Sequence, residues 1–151
     1  MTDATETPER KPVCIGTGMP GSILLQAFGQ WIRDAFGHTA YQVGSSVHGK
    51  QWRDVDVRLI LDDDEFYALF PGYRHMHQID AKWSFPCAAI SALGKQQTGL
   101  PVDFQIQPMT EANKVYGSGK GTFRQPLFFY DHASVKAELE RRAERAERGE
   151  E

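Results

Sequence analysis

Two aspartates, Asp54 and Asp56, flank the apolar Val55, and a third, Asp103, sits between Val102 and Phe104. Alternate side chains of a β-strand share a face, so an Asp-Val-Asp run sets two carboxylates side by side while the valine turns to the core. Two ionised carboxylates that close repel each other. A hard divalent cation such as magnesium, or manganese in its place, relieves the repulsion and keeps coordination positions open for phosphate oxygens. Ten residues before Asp54 stand Gly44 and Ser45. A glycine lets the backbone approach a ligand closely, and a serine offers a hydroxyl and an amide to a phosphate. Lys50 and Arg53 lie between the two motifs as cations that would balance a triphosphate, with His48 as a further donor. Any one part alone is commonplace, since Asp-x-Asp on a strand is most often a solvated edge; the reading rests on all three together.

These residues need strands to hold them. Tyr41 to Val43 reads as a short strand ending in Gly44-Ser45-Ser46. Asp54 to Leu61 alternates Val55, Val57, Leu59 and Leu61 against Asp54, Asp56 and Arg58, which predicts a strand with a dry face and a wet one. Leu100 to Gln107 alternates again, with Val102, Phe104 and Ile106 on one side and Asp103, Gln105 and Gln107 on the other. If the second and third strands pair, all three acids share one face.

Helical spacing places Ile23, Leu24, Ala27, Phe28, Trp31, Ile32 and Ala35 on a helix from Ser22 to Phe36, with Ser22 as N-cap and Gly37 as stop. Asp62 to Asp64 cap a helix over Phe66 to Phe70, and Ser84 with Pro86 opens another that runs to about Gln97 and closes at Gly99. Ser134 to Arg148, rich in Glu and Arg, predicts a solvated helix held by i,i+4 pairs. The fold class is therefore α/β in the broad α+β sense: a small mixed sheet with helices packed on one face. Residues 1–12 are expected as a loose tail, 13–133 as the domain, and 134–151 as the charged C-terminal helix.

The order Val43-Gly44-Ser45-Ser46-Val47-His48-Gly49-Lys50, then Asp54-Val55-Asp56, then Val102-Asp103-Phe104 resembles the polymerase-beta-like nucleotidyltransferase superfamily, over about Tyr41 to Gln107. The resemblance implies that Gly44 and Ser45 grip a nucleoside triphosphate, ATP or another, that Asp54 and Asp56 bridge two magnesium ions to it, and that Asp103 holds the metal that activates an acceptor hydroxyl. In such sites the ions stand roughly 3.5 to 4 Å apart and stabilise both oxygens of an in-line displacement. The implied reaction transfers a nucleoside monophosphate to a small molecule, an RNA end or a protein and releases pyrophosphate. The interval between Gly-Ser and Asp-x-Asp is short for the superfamily, and the chain has little room for a separate acceptor-binding domain. A different class of function therefore stands beside this one: a non-catalytic nucleotide-binding or interaction module with a protein partner, as in a toxin and antitoxin pair.

Composition bounds these readings. A chain of 151 residues with 40% apolar content supports one core. A net charge of −3 argues against a protein that holds nucleic acid chiefly by neutralising phosphates. Two cysteines make no disulfide framework, and no apolar run is long enough to span a bilayer, so a soluble, cytoplasmic protein without a membrane partner is expected. Gly16 to Gly21 fits G-x-G-x-x-G, but Pro20 sits within it and no acid ends the following strand; a turn capping a helix explains it better. Gly117 to Thr122 lacks the first glycine and the leading strand of a P-loop and reads as a loop. His75 and His77 lack a further ligand set. The tryptophans read as packing residues, with Trp52 the one placed to stack on a base.

Overall fold

The computed structural model describes residues 16–49, 51–73, 80–116, 124–128 and 132–149. In chain order the elements are α1 (Gly21–Phe36), β1 (Ala40–Val43), a 3₁₀ turn (Ser45–Val47), β2 (Val55–Leu61), α2 (Asp63–Leu69), α3 (Ala81–Thr98), β3 (Val102–Pro108), α4 (Met109–Tyr116), β4 (Gln125–Leu127) and α5 (His132–Glu147). The protein is mixed α+β, and its four strands lie in the order β3-β2-β1-β4. β2 and β3 run parallel, while β1 is antiparallel to both β2 and β4.

The alternating apolar residues do what their period dictates. Val55, Val57, Leu59 and Leu61 of β2, and Val102, Phe104 and Ile106 of β3, are buried against Leu25, Phe28 and Ile32 of α1 and Trp83 and Cys87 of α3. Beside this layer Phe66, Phe70 and Tyr73 close an aromatic cluster, with the Phe66 and Tyr73 rings edge to face at 4.8 Å. Gly29 is required where α1 crosses β4: a methyl there would meet Leu127 Cβ and the Leu127 carbonyl oxygen. β3 is an edge strand, and α3 satisfies part of its open side. Phe104 N donates to Ser91 Oγ at 2.8 Å, and Trp83 Nε1 donates to the Ile106 carbonyl at 2.8 Å. Such pairing blunts an edge that would otherwise template another strand.

Several local expectations change. Ser22 lies inside α1, bonded through its hydroxyl to Thr17 Oγ1 at 2.7 Å, and the helix begins one residue earlier without a side-chain cap. Gly37 does terminate it, at φ 75°. α3 begins at Ala81 rather than Ser84, so Pro86 falls in its second turn, and Gly99 ends it at φ 70°. Trp31 is half-exposed, whereas Trp52 is part-buried with its indole N–H committed to the Gly16 carbonyl at 3.0 Å. Residues 1–12, Lys50, His75, His77 and the 117–122 loop lie outside the described residues. Among the described residues no helix is long and apolar enough to cross a membrane.

Cys87 is enclosed between α3 and the sheet, and burial pushes its thiol up from 9.0 to about 11. The thiolate is the reactive form, so two units of pKa cut its fraction at pH 8 about a hundredfold. In a Cys14→Ser background, native protein at pH 8 should take up iodoacetamide at least a hundred times more slowly than the same protein in denaturant. Equal rates in the two states would mean that the α3 packing opens readily.

Candidate functional site

Parallel pairing of β2 and β3 sets Asp56 directly against Asp103. β1 brings Val43 opposite Asp56 from the other side, so the chain leaves β1 at Gly44 just beside the Asp56 carboxylate. Gly44 takes φ 77° and ψ −159°, a conformation open to glycine alone, and a Cβ on it would strike Asp56 Oδ2. Below it, buried Gln42 donates from Nε2 to Ser46 Oγ at 2.9 Å and pins the turn from the core side. Ser45 is exposed at the first position of the 3₁₀ turn, and His48 follows it, also exposed.

The expected wet face of β2 is not wet along its length. Arg58 is 5% exposed and Ile60 4%. Arg58 lies between the acids: Nη2 is 3.6 Å from both Asp56 Oδ1 and Asp103 Oδ2, and Nη1 donates to the Asp103 carbonyl at 2.7 Å and the Val57 carbonyl at 3.1 Å. Its long stem follows the sheet while its charge is spent on the carboxylates, which is how a cation is tolerated at this depth. Among the described residues its Nε is buried without a hydrogen-bond partner.

Asp54 departs further from expectation. It precedes β2 instead of lying in it, and it is exposed. Strand alternation thus does not carry Asp54 and Asp56 as a pair; the close pair is Asp56 with Asp103. Asp54 still acts on the pair through space. Burial pushes the Asp56 carboxyl above its ordinary 3.8, Arg58 pulls it back, and Asp103 and Asp54 push it up again. Arg53 is exposed in the loop before Asp54.

Magnesium requires few protein ligands, commonly one or two carboxylates, with substrate phosphates and water completing its shell. Asp56 and Asp103 fit that requirement: a repelling pair, one of them raised by burial, beside a backbone turn too tight for any side chain. They do not form an all-protein cage, since among the described residues no group of three or more His, Cys, Asp or Glu side chains is disposed to hold a metal.

Arg58 is the residue that the sequence reading passes over. The alternation assigns it to solvent, and its one distinguishing signal is position, two residues after Asp56 on the same face of the strand. No protein-family model, curated protein or solved structure matches the chain. Its class is therefore defined by its own architecture: an α+β protein whose mixed sheet sets two carboxylates and a guanidinium beside a glycine turn.

Proposed function

We propose that the protein binds a nucleoside triphosphate with magnesium and transfers its nucleoside monophosphate to a hydroxyl acceptor. The observation that supports this reading best is the in-register pair Asp56 and Asp103 beside the Gly44-Ser45 turn. In this reading Asp56 and Asp103, assisted by Asp54, hold magnesium, which supplies charge stabilisation at the phosphates. The Gly44-Ser45 turn presents backbone N–H groups and the Ser45 hydroxyl to the triphosphate, and Arg53 with Lys50 screens its charge. The acceptor hydroxyl gives up its proton to solvent, its oxygen bonds to the α-phosphorus as the bond to the bridging oxygen breaks, and pyrophosphate leaves.

A second reading draws on Arg58. A guanidinium already balancing both carboxylates suits a site that binds nucleotide, or a protein partner, without turning it over.

Thermal unfolding with each of the four ribonucleoside triphosphates, with and without magnesium, tests the site. A ligand at 100 times its Kd adds about 2.7 kcal/mol, or roughly 5 to 10 °C for a chain of this size. The expected result is a magnesium-dependent shift that Asp56→Asn abolishes. Transfer of α-phosphate label to an acceptor from cell extract, lost in Asp103→Asn, then separates catalysis from binding alone. No shift with any nucleotide would sink both nucleotide-binding readings and leave only the protein partner.

A further inference from the structure

On the same sheet face as Asp56 and Asp103, further along β2, a cavity of about 370 Å³ opens over Tyr41 and Ile60. Tyr41 pairs with Arg58 across the β1–β2 ladder, and Ile60 lies four residues beyond Asp56. At about 3.3 Å per residue, the cavity floor is roughly 13 Å from the carboxylates. Its lining includes four arginines, Arg33, Arg124, Arg141 and Arg145. Among the described residues Asp62 is the one carboxylate lining it, and the lining imidazole of His38 is engaged by Glu65 at 2.9 Å.

Two of these cations are held in place by visible contacts. Arg124 donates from Nε to the Tyr116 carbonyl at 3.0 Å and from Nη2 to Asn113 Oδ1 at 2.6 Å, and it lies over the Tyr41 ring. Arg33 stacks on Phe128, 4.9 Å from the ring centroid. Arg141 and Arg145 are four apart on α5 and so rise from one helix face. In a chain of net charge −3, four arginines lining one cavity are a local concentration of cationic residues. Guanidinium forks match phosphate oxygens in geometry as well as charge. The volume falls within the range of small-ligand sites, roughly 300 to 1,000 Å³, and is a pocket instead of the extended track that a nucleic-acid backbone needs.

We propose that this arginine-lined cavity binds the phosphate groups of a small phosphorylated molecule of about mononucleotide size, and that this molecule is the acceptor whose hydroxyl is brought toward the carboxylates. The acceptor role rests on the nucleotidyl-transfer reading; the anion site does not. The C-terminal helix supplies two of the arginines.

Calorimetric titration of the full chain with inorganic pyrophosphate, without magnesium or nucleotide, tests the site directly. Saturable binding is expected, at least tenfold weaker in Arg145→Glu and weaker again in Arg141→Glu/Arg145→Glu. Lys82→Glu, which makes the same charge change at an exposed end of α3, should stay within twofold of wild type. Absence of pyrophosphate binding would overturn the proposal. So would equal weakening by Lys82→Glu, which would mean diffuse electrostatics, or binding of a single-stranded RNA oligonucleotide that pyrophosphate does not displace. If pyrophosphate binds through Arg145 while no nucleoside triphosphate with magnesium shifts the melting of wild type, the anion site stands and the nucleotidyl-transfer reading falls.

Discussion

Arg58→Met is expected to lower stability by about 2 to 3 kcal/mol at pH 7, below the roughly 3 to 5 kcal/mol that breaking a fully buried ion pair costs. The methionine fills most of the space, so the loss comes from charge left behind. Arg58 is nearly inaccessible, but the Asp56 and Asp103 side chains are 25% and 42% exposed, and water screens part of the imbalance. The loss should vary with pH in a defined sense. Burial already holds the Asp56 carboxyl above 3.8, so its contribution to stability is greatest below that value and is lost as pH rises through the raised one. Arg58 is the influence that opposes this rise. Without it the Asp56 pKa climbs further and ionisation removes more stability. The gap between wild type and Arg58→Met in urea unfolding should therefore be small near pH 4 and widen toward neutrality. If magnesium binds the pair, millimolar magnesium should recover more stability in the variant than in wild type, because the ion then replaces the missing cation. A gap independent of pH would show that Arg58 matters through packing and not through charge.

What the sequence made legible, and what it did not, follows from the range of the forces involved. Period-two alternation in Val55 to Leu61 and Val102 to Ile106 is a local signal, and both strands form with those residues inward. Gly37 and Gly99 are local too, since each ends its helix in a left-handed conformation that glycine adopts without strain. Register is not local. Nothing in either strand alone places Asp103 against Asp56 and not one step away; that depends on how α3 returns the chain. The same limit hides Arg58, whose burial depends on two acids, one of them 45 residues distant, and the arginine cavity, whose wall is drawn from α1, α5 and the segment before β4. Asp54 illustrates the opposite error. The alternation extends to Asp54, but Val55 N is bonded to the Pro101 carbonyl at 2.9 Å where pairing begins, and the strand starts one residue after Asp54.

Gly44→Ala should separate backbone strain from damage to the site. Gly37 and Gly44 have nearly equal φ, 75° and 77°, yet their surroundings differ. A methyl on Gly37 meets nothing within 4 Å, whereas one on Gly44 runs into the Asp56 carboxylate. Gly37→Ala is thus expected to cost about 1 kcal/mol, the price of a left-handed alanine. Gly44→Ala sits at a ψ that alanine tolerates far less well and must also displace Asp56, so about 3 kcal/mol is expected, with at least a tenfold loss of nucleotide affinity wherever binding is detected. The displacement is measurable as coupling. In an Asp56→Ala background the obstructing oxygens are gone, and Gly44→Ala should cost about 1 kcal/mol less than in wild type. Equal costs in the two backgrounds would mean that the turn and the carboxylate move independently. The Gly44 turn would then not be what aims Asp56, and the proposed site would lose the contact that joins its phosphate-gripping half to its metal-binding half.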